Sequence, residues 1–129
     1  MKLLMKETNQ SIIYNQIIFS LSLSGNQSLA AADAMKSTVA QGLNIVAAAG
    51  NNGNDACSHT PGSSSSDGIV VVGNTDSDDY VAATSNYGKC ITVYAPGTKI
   101  TSTAIVDGEK KVMSGTSMAA PHVAGVCFF

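Results

Sequence analysis

An alternation of strand-like and helix-like segments early in the chain limits most strongly what it can fold into. Residues 17–23 are rich in β-prone apolar side chains and end at a Ser-Gly turn signal. Ser28 is a suitable N-cap for the alanine-rich stretch 29–41, and Gly42 stands where a helix commonly ends in glycine. Residues 43–49 then form a short, continuous apolar run, which is typical of a strand buried in a parallel sheet. Together these segments predict a βαβ unit with a right-handed crossover, and therefore an α/β fold.

The rest of the chain continues this pattern after a polar loop. Residues 51–67 are rich in Asn, Gly and Ser and predict that loop. Further strands are predicted at residues 69–72, 90–94, 100–104 and 110–113. The last two form a predicted hairpin with Asp107-Gly108 as its turn. A final helix is predicted from about Ser117 to the last residue, and the sequence contains no internal repeat or interdomain linker.

Composition excludes several classes of protein. Hydrophobic residues make up 44% of the chain and charged residues 12%, which fits neither a disordered tail nor a coiled coil. The formal net charge is -2 and every basic residue is Lys, so no basic stripe favours nucleic acid. Apolar runs such as "IVAAA" are far shorter than the roughly 20 residues of a membrane span. The first ten residues carry charged and amide side chains that do not fit a signal peptide.

Two polar residues follow predicted strands or open a predicted helix, where α/β sheets usually hold their sites. Asn51 comes directly after the strand 43–49 and can present its amide to the crevice. Ser117 begins the last helix, where free backbone N–H groups and the positive end of the helix dipole favour a developing oxyanion. From the local pattern alone, an ordinary turn asparagine and an ordinary N-cap serine remain the simpler alternative.

Four motifs carry a resemblance to a known family. "SGTSMAAPHVAG" resembles the nucleophile segment of subtilisin-like serine proteases, and "IVAAAGNNG" resembles their oxyanion segment. "SLSLSG" is similar to their substrate-binding strand, and "NYGKCITVYAPGTKITST" to the stretch before the serine. The spacing and the cysteines resemble the proteinase K-like branch. The resemblance implies a three-layer α/β fold with a mainly parallel sheet. It corresponds to the second half of the family's catalytic domain, so residues 1–129 are expected to be an incomplete peptidase domain.

The resemblance implies a role for each matching residue. Ser117 is expected to be the nucleophile, and Asn51 to stabilise the oxyanion together with the backbone N–H of Ser117. The expected substrate-binding residues are Ser22, Leu23, Ser24 and Gly25 on one wall of the specificity pocket, and Ala48, Ala49 and Gly50 on the other. Small residues on both walls predict a roomy pocket for an apolar or aromatic side chain. Ser24 replaces a glycine usual in the family and is expected to crowd the backbone that faces substrate.

Neither histidine of the chain is expected to serve as the catalytic base. His122 follows Ser117 by five residues, which on a helix is about 140° of rotation and roughly 7.5 Å of rise, so its ring points away from the serine. His59 lacks the His-Gly context of the family, and no aspartate lies in an Asp-(Thr/Ser)-Gly context. The triad His and Asp are therefore expected upstream of Met1. The implied function is a serine endopeptidase fragment acting on polypeptides through an acyl-enzyme. The alternative is an inactive truncated homologue or a peptide-binding remnant.

The resemblance also implies expectations for the cysteines. Cys57 and Cys90 are expected to form a disulfide, which indicates an oxidising, secreted setting. Cys127 is expected to be a buried free thiol. The alternative is that all three cysteines are reduced core residues.

No cofactor is expected. A structural calcium is possible in the family, but Thr92 stands where this branch often has a liganding aspartate, and Asp67 is only a possible substitute. No metal site is therefore assigned, because calcium prefers several oxygen ligands, carboxylates above all.

Overall fold

A computed structural model describes residues 17–128. The elements in chain order are β1 (Ile18–Leu21), β2 (Gly25–Asn26), α1 (Leu29–Ala40), β3 (Asn44–Ala48), β4 (His59–Thr60), β5 (Val70–Thr75), β6 (Val93–Pro96), β7 (Ile100–Thr103), β8 (Lys110–Met113) and α2 (Thr116–Phe128). Two short 3₁₀ helices, Ala56–Ser58 and Gly62–Asp67, lie in the polar loop. The central sheet has the order β1-β3-β5-β6 with all strands parallel, which confirms the predicted α/β class.

The two helices lie on opposite faces of the central sheet. Val46 and Ala48 of β3 pack towards α2, in a cluster that includes Ala119 and Ala120. Ile45, Ala47 and Ala49 face the other side, where α1 contributes Met35 and Val39. Because successive side chains of a strand alternate between faces, one apolar strand contributes to two cores. The result is the predicted three-layer arrangement of helix, sheet and helix.

Local sequence signals explain both ends of α1. The Ser28 hydroxyl accepts a hydrogen bond from the N–H of Ala31 at 3.3 Å, as the predicted N-cap should. Gly42 has a φ of +82°, the left-handed conformation that glycine adopts without steric cost after a helix. The N–H of Gly42 donates to the carbonyl of Val39 at 2.9 Å. The predicted helix 29–41 is therefore correct to within one residue.

Several predicted strand limits are wrong for identifiable reasons. The predicted strand 17–23 ends at Leu21, because the following residues leave the sheet to reach the start of α2. The predicted strand 90–94 begins only at Val93, because Cys90 is held in the preceding turn by a disulfide. The predicted strand 69–72 extends instead over Val70–Thr75. The segment predicted to be plain loop, 51–67, holds β4 and the two 3₁₀ helices.

The predicted hairpin is confirmed. β7 and β8 pair antiparallel, with Ile100 opposite Met113. The predicted turn residue Gly108 has a φ of +75°, and the N–H of Glu109 closes the turn on the carbonyl of Val106 at 3.1 Å. The hairpin extends from the sheet beside the start of α2.

The cysteines behave partly as expected. Cys57 and Cys90 form the predicted disulfide, which closes the polar loop onto the turn before β6. Cys127 is a free thiol, but it is exposed, so the prediction that it is buried is wrong. It continues the sheet-facing side of α2 one turn beyond Val123, where no part of the described chain covers it. No helix among residues 17–128 is long and apolar enough to cross a membrane.

Candidate active site

Three segments meet at the carboxyl edge of the sheet. β1 and β3 are parallel neighbours, with Leu21 opposite Ala47, so the residues that follow them emerge side by side. Ser22 follows β1, Asn51 lies beyond β3, and Ser117 is the second residue of α2. Parallel sheets commonly place their sites at this edge. The structure therefore brings together the two residues that the sequence predicted as catalytic.

A network centred on Thr116 fixes the side chain of Asn51. Its Oδ1 accepts hydrogen bonds from the backbone N–H of Thr116 at 2.8 Å and from the Thr116 hydroxyl at 3.1 Å. The same hydroxyl accepts a bond from the N–H of Gly50 at 3.1 Å. Since Oδ1 is engaged by two donors, the Nδ2 group must face the other way. The amide of Asn51 is thus fixed at the start of α2, with Oδ1 bonded to Thr116 and Nδ2 free to donate elsewhere.

Ser117 and Ser22 are joined by two reciprocal bonds. The hydroxyl of Ser117 donates to the carbonyl of Ser22 at 3.1 Å, and the hydroxyl of Ser22 donates to the carbonyl of Ser117 at 2.7 Å. The second bond has a cause inside the helix. Pro121 lies within α2 and has no N–H, so the carbonyl four residues earlier, that of Ser117, has no helical donor. The Ser22 hydroxyl supplies the missing donor.

Two N–H donors beside Ser117 are free. Within residues 17–128, neither the backbone N–H of Ser117 nor Nδ2 of Asn51 donates to a protein acceptor. The first of these is one of the unpaired donors that every helix N-terminus presents. The second is held nearby because Asn51 is bonded to the adjacent residue, Thr116. Two free N–H donors beside a serine hydroxyl could stabilise the oxyanion that forms when such a hydroxyl attacks a carbonyl group.

The loop that carries Asn51 is held by a residue that sequence reasoning missed. Asn86 is fully buried, and its Nδ2 donates to the carbonyl of Ala49 at 2.9 Å. Its Oδ1 accepts from the N–H groups of Asn52 and Asn54 at 3.0 and 3.1 Å. Its own N–H donates to the carbonyl of Gly50 at 2.9 Å. These contacts bracket Asn51 on both sides. No local pattern in "ATSNYG" indicates them, because every partner lies more than 30 residues away.

The predicted pocket walls differ in exposure. The first wall is exposed throughout, at Ser22, Leu23, Ser24 and Gly25. Gly25 is the first residue of β2, which pairs antiparallel with β4. Ala48, Ala49 and Gly50 are buried. The first predicted wall is therefore open to solvent, and the second is enclosed by the protein.

An open groove of about 360 Å³ lies on another side of Ser117. It is lined by Ile100, Thr101, Ser102, Ser117, Met118, Pro121 and His122. His122 is exposed, and its Nδ1 is paired with the carbonyl of Met118 at 2.9 Å. The Nδ1 of His59 lies 3.4 Å from the carbonyl of Asp55 in the polar loop. Neither ring is hydrogen-bonded to the Ser117 hydroxyl, whose acceptor is Ser22.

The residues around Thr92 do not fit a calcium ion. The Thr92 hydroxyl accepts a hydrogen bond from the backbone N–H of Val71 in β5 at 3.0 Å, so this oxygen is already engaged within the protein. Lys36 forms an ion pair with the possible substitute Asp67 at 3.4 Å, which places a cation where a metal ion would need a free carboxylate. The described part of the chain holds no cluster of three metal-binding acidic, His or Cys side chains.

Comparisons with known proteins agree on one family. Subtilisin-like protease 1 of Pseudogymnoascus destructans is 44% identical over 115 residues, which is 87% of this chain and 28% of that protein. Alkaline serine exoprotease A of Vibrio alginolyticus is 46% identical over 109 residues, which is 84% of this chain and 20% of that protein. The crystal structure of a cold adapted subtilisin-like serine proteinase matches with a TM-score of 0.80 at 43% identity, over 84% of this chain and 39% of that one.

The chain therefore spans less than a third of the length of these two relatives. A model described as "Subtilase family" matches residues 3–127. Since this match covers nearly the whole sequence, the chain belongs to the subtilase family.

Proposed function

We propose that this chain is the part of a serine endopeptidase that carries the nucleophile and the oxyanion hole. The observation that carries the proposal is the arrangement of Ser117 beside two free donors, its own N–H and the Nδ2 of Asn51. Membership of the subtilase family supports it, since the relatives are named as proteases.

The chemistry follows from these atoms. Oγ of Ser117 attacks the carbonyl carbon of a peptide bond while its proton passes to a base. The carbonyl oxygen becomes negative and accepts hydrogen bonds from the Ser117 N–H and from Asn51. The tetrahedral species then expels the amine, which takes the proton back from the base, and leaves an ester on Ser117. Water, deprotonated by the same base, hydrolyses the ester and frees the serine.

The substrate is proposed to be an extended polypeptide. Residues 22–24 follow β1 but pair with no other strand in the described structure, so their backbone is available to a peptide strand. Pairing of this kind uses backbone groups that every peptide has, and leaves selectivity to the side-chain pockets. Ser22 lies against Ser117, so a peptide on this segment would pass directly over the nucleophile.

The base and its orienting carboxylate are proposed to come from sequence outside these 129 residues. Neither histidine of the chain is bonded to Ser117: the Nδ1 of His122 pairs with the carbonyl of Met118, and that of His59 with the carbonyl of Asp55. β1 is an outer strand of the described sheet, and apolar side chains such as Phe19 and Val126 are exposed. Edges and faces of this kind are usually covered in a folded protein. A secreted location is part of the same proposal, because the Cys57–Cys90 disulfide is stable in oxidising compartments.

A covalent probe tests the proposal. The protein as its gene encodes it is treated with a fluorophosphonate reagent, and mass spectrometry locates the adduct. We expect one adduct on Ser117, and no adduct and no hydrolysis of casein after Ser117→Ala. The matched control is Ser77→Ala, an exposed serine of the loop after β5, which should label fully. Residues 1–129 expressed alone should react at least a thousandfold more slowly, because no base among residues 17–128 is hydrogen-bonded to the serine hydroxyl. Fast labelling of that chain would contradict the outside base, and no labelling of either protein would contradict the proposed function.

A further inference from the structure

The two walls of the predicted specificity pocket come together at Ser24 and Gly50. A Cβ placed on Gly50 would lie 2.9 Å from the hydroxyl oxygen of Ser24. That oxygen is therefore no more than about 4.4 Å from the Cα of Gly50, because a carbon–carbon bond adds about 1.5 Å. No described residue forms a hydrogen bond with the Ser24 hydroxyl, so the hydroxyl remains available to a ligand.

The second wall cannot retreat to widen the cleft. Gly50 is buried and has a φ of +103°. Nδ2 of Asn86 lies 2.5 Å from the same Cβ position, and Asn86 also holds Ala49 and Gly50 by their carbonyls. The width of the predicted pocket at this point is therefore set by the fixed backbone of Gly50 on one side and the side chain of Ser24 on the other.

We propose that Ser24 restricts the pocket to small side chains, so that this protease cleaves after residues such as Ala, Ser or Gly and disfavours Phe or Tyr. A carbon atom needs about 3.5–4 Å to each wall, so a side chain between two walls needs a gap of about 7–8 Å. The separation at Ser24 is little more than half of that. The free hydroxyl also offers a hydrogen bond to a small polar side chain. This inference rests on the proposed function and revises the roomy pocket that small wall residues predicted.

Hydrolysis of a matched pair of substrates tests the inference. The assay uses the catalytically competent protein, in which these residues are joined to the sequence that supplies the base. The substrates are succinyl-Ala-Ala-Pro-Ala-p-nitroanilide and its Phe counterpart, which differ only in the residue before the cleaved bond. We expect the original protein to prefer Ala over Phe by at least tenfold in kcat/KM. Ser24→Gly should raise the Phe/Ala ratio by at least tenfold, chiefly through activity on Phe.

A graded series guards against a folding artefact. The Phe/Ala ratio should fall in the order Gly, Ala, Ser, Thr at position 24, and Ser77→Gly should leave it unchanged. The inference would be overturned if the original protein preferred Phe, or if the Phe/Ala ratio of kcat/KM did not change with the residue at position 24. Either result would leave the proposed function intact. No hydrolysis of either substrate together with no fluorophosphonate labelling would overturn the proposed function, and this inference with it.

Discussion

Replacing Asn86 by Ala tests whether a residue outside the catalytic motifs positions the oxyanion hole. The change removes three side-chain hydrogen bonds: a buried one to Ala49 and two partly buried ones to Asn52 and Asn54. Each such bond contributes roughly 0.5–1.5 kcal/mol net, so the free energy of unfolding should fall by about 1.5–4.5 kcal/mol. All three bonds hold the loop around Asn51, so their loss should also release the amide that we propose as a donor to the oxyanion.

The effect on rate has an upper limit. A displaced Asn51 can lose no more than a deleted one, and removing this donor costs about 10²–10³ in kcat, a value measured for subtilisin, which belongs to the same family. We expect Asn86→Ala to lower kcat at least tenfold without exceeding the loss in Asn51→Ala. KM should change little, because the contact is made chiefly in the transition state.

A double-mutant cycle separates positioning from general damage. In protein that already carries Asn51→Ala, adding Asn86→Ala should lower kcat by less than about threefold, because the group it positions is gone. The assay is run well below the unfolding midpoint of each variant. Thr92→Val is the matched control, since it also removes a side-chain acceptor of a backbone N–H but lies away from the loop. If the double variant lost kcat by the product of the losses in the two single variants, Asn86 would not act through Asn51, and its positioning role would be refuted.

Two stability predictions concern other contacts of the site and its loop. Ser22→Ala should lower the free energy of unfolding by about 1 kcal/mol, because the carbonyl of Ser117 loses its hydrogen-bond donor. Chemical denaturation measures this loss. An unchanged free energy of unfolding would show that water replaces the bond. Changing both Cys57 and Cys90 to Ser should cost about 3–4 kcal/mol, the chain-entropy value for a separation of 33 residues. The same loss should appear on reducing the original protein with dithiothreitol, and an unchanged unfolding midpoint in both experiments would contradict it.

The fold could be predicted largely because its signals are local. The N-cap Ser28, the glycine after α1 and the apolar run of β3 each act within a few residues of themselves. Strand limits were less predictable where a distant contact overrides the local pattern. Because Cys90 is held by a disulfide, β6 begins later than predicted. Because Ser22 is hydrogen-bonded to α2, β1 ends earlier than predicted.

The candidate site divides in the same way. Ser117 and Asn51 lie in long motifs that a family resemblance identifies, and the structure places them side by side. Asn86 has no such motif, because its role consists of bonds to residues 32–37 positions away. The exposure of Cys127 was also unpredictable, since it depends on where the covered part of α2 ends and not on the apolar residues around it.

The reciprocal bonds between Ser22 and Ser117 show why two motifs 95 residues apart belong together. Pro121 leaves the Ser117 carbonyl without a helical donor, and that vacancy ties the segment after β1 to the start of α2. The tie places the segment that we propose to pair with a peptide beside the serine that we propose as the nucleophile. In the second of the two bonds, the Ser117 hydroxyl donates to the carbonyl of Ser22. The proline therefore does more than interrupt a helix: the carbonyl that it leaves free holds the segment after β1 against the first turn of α2.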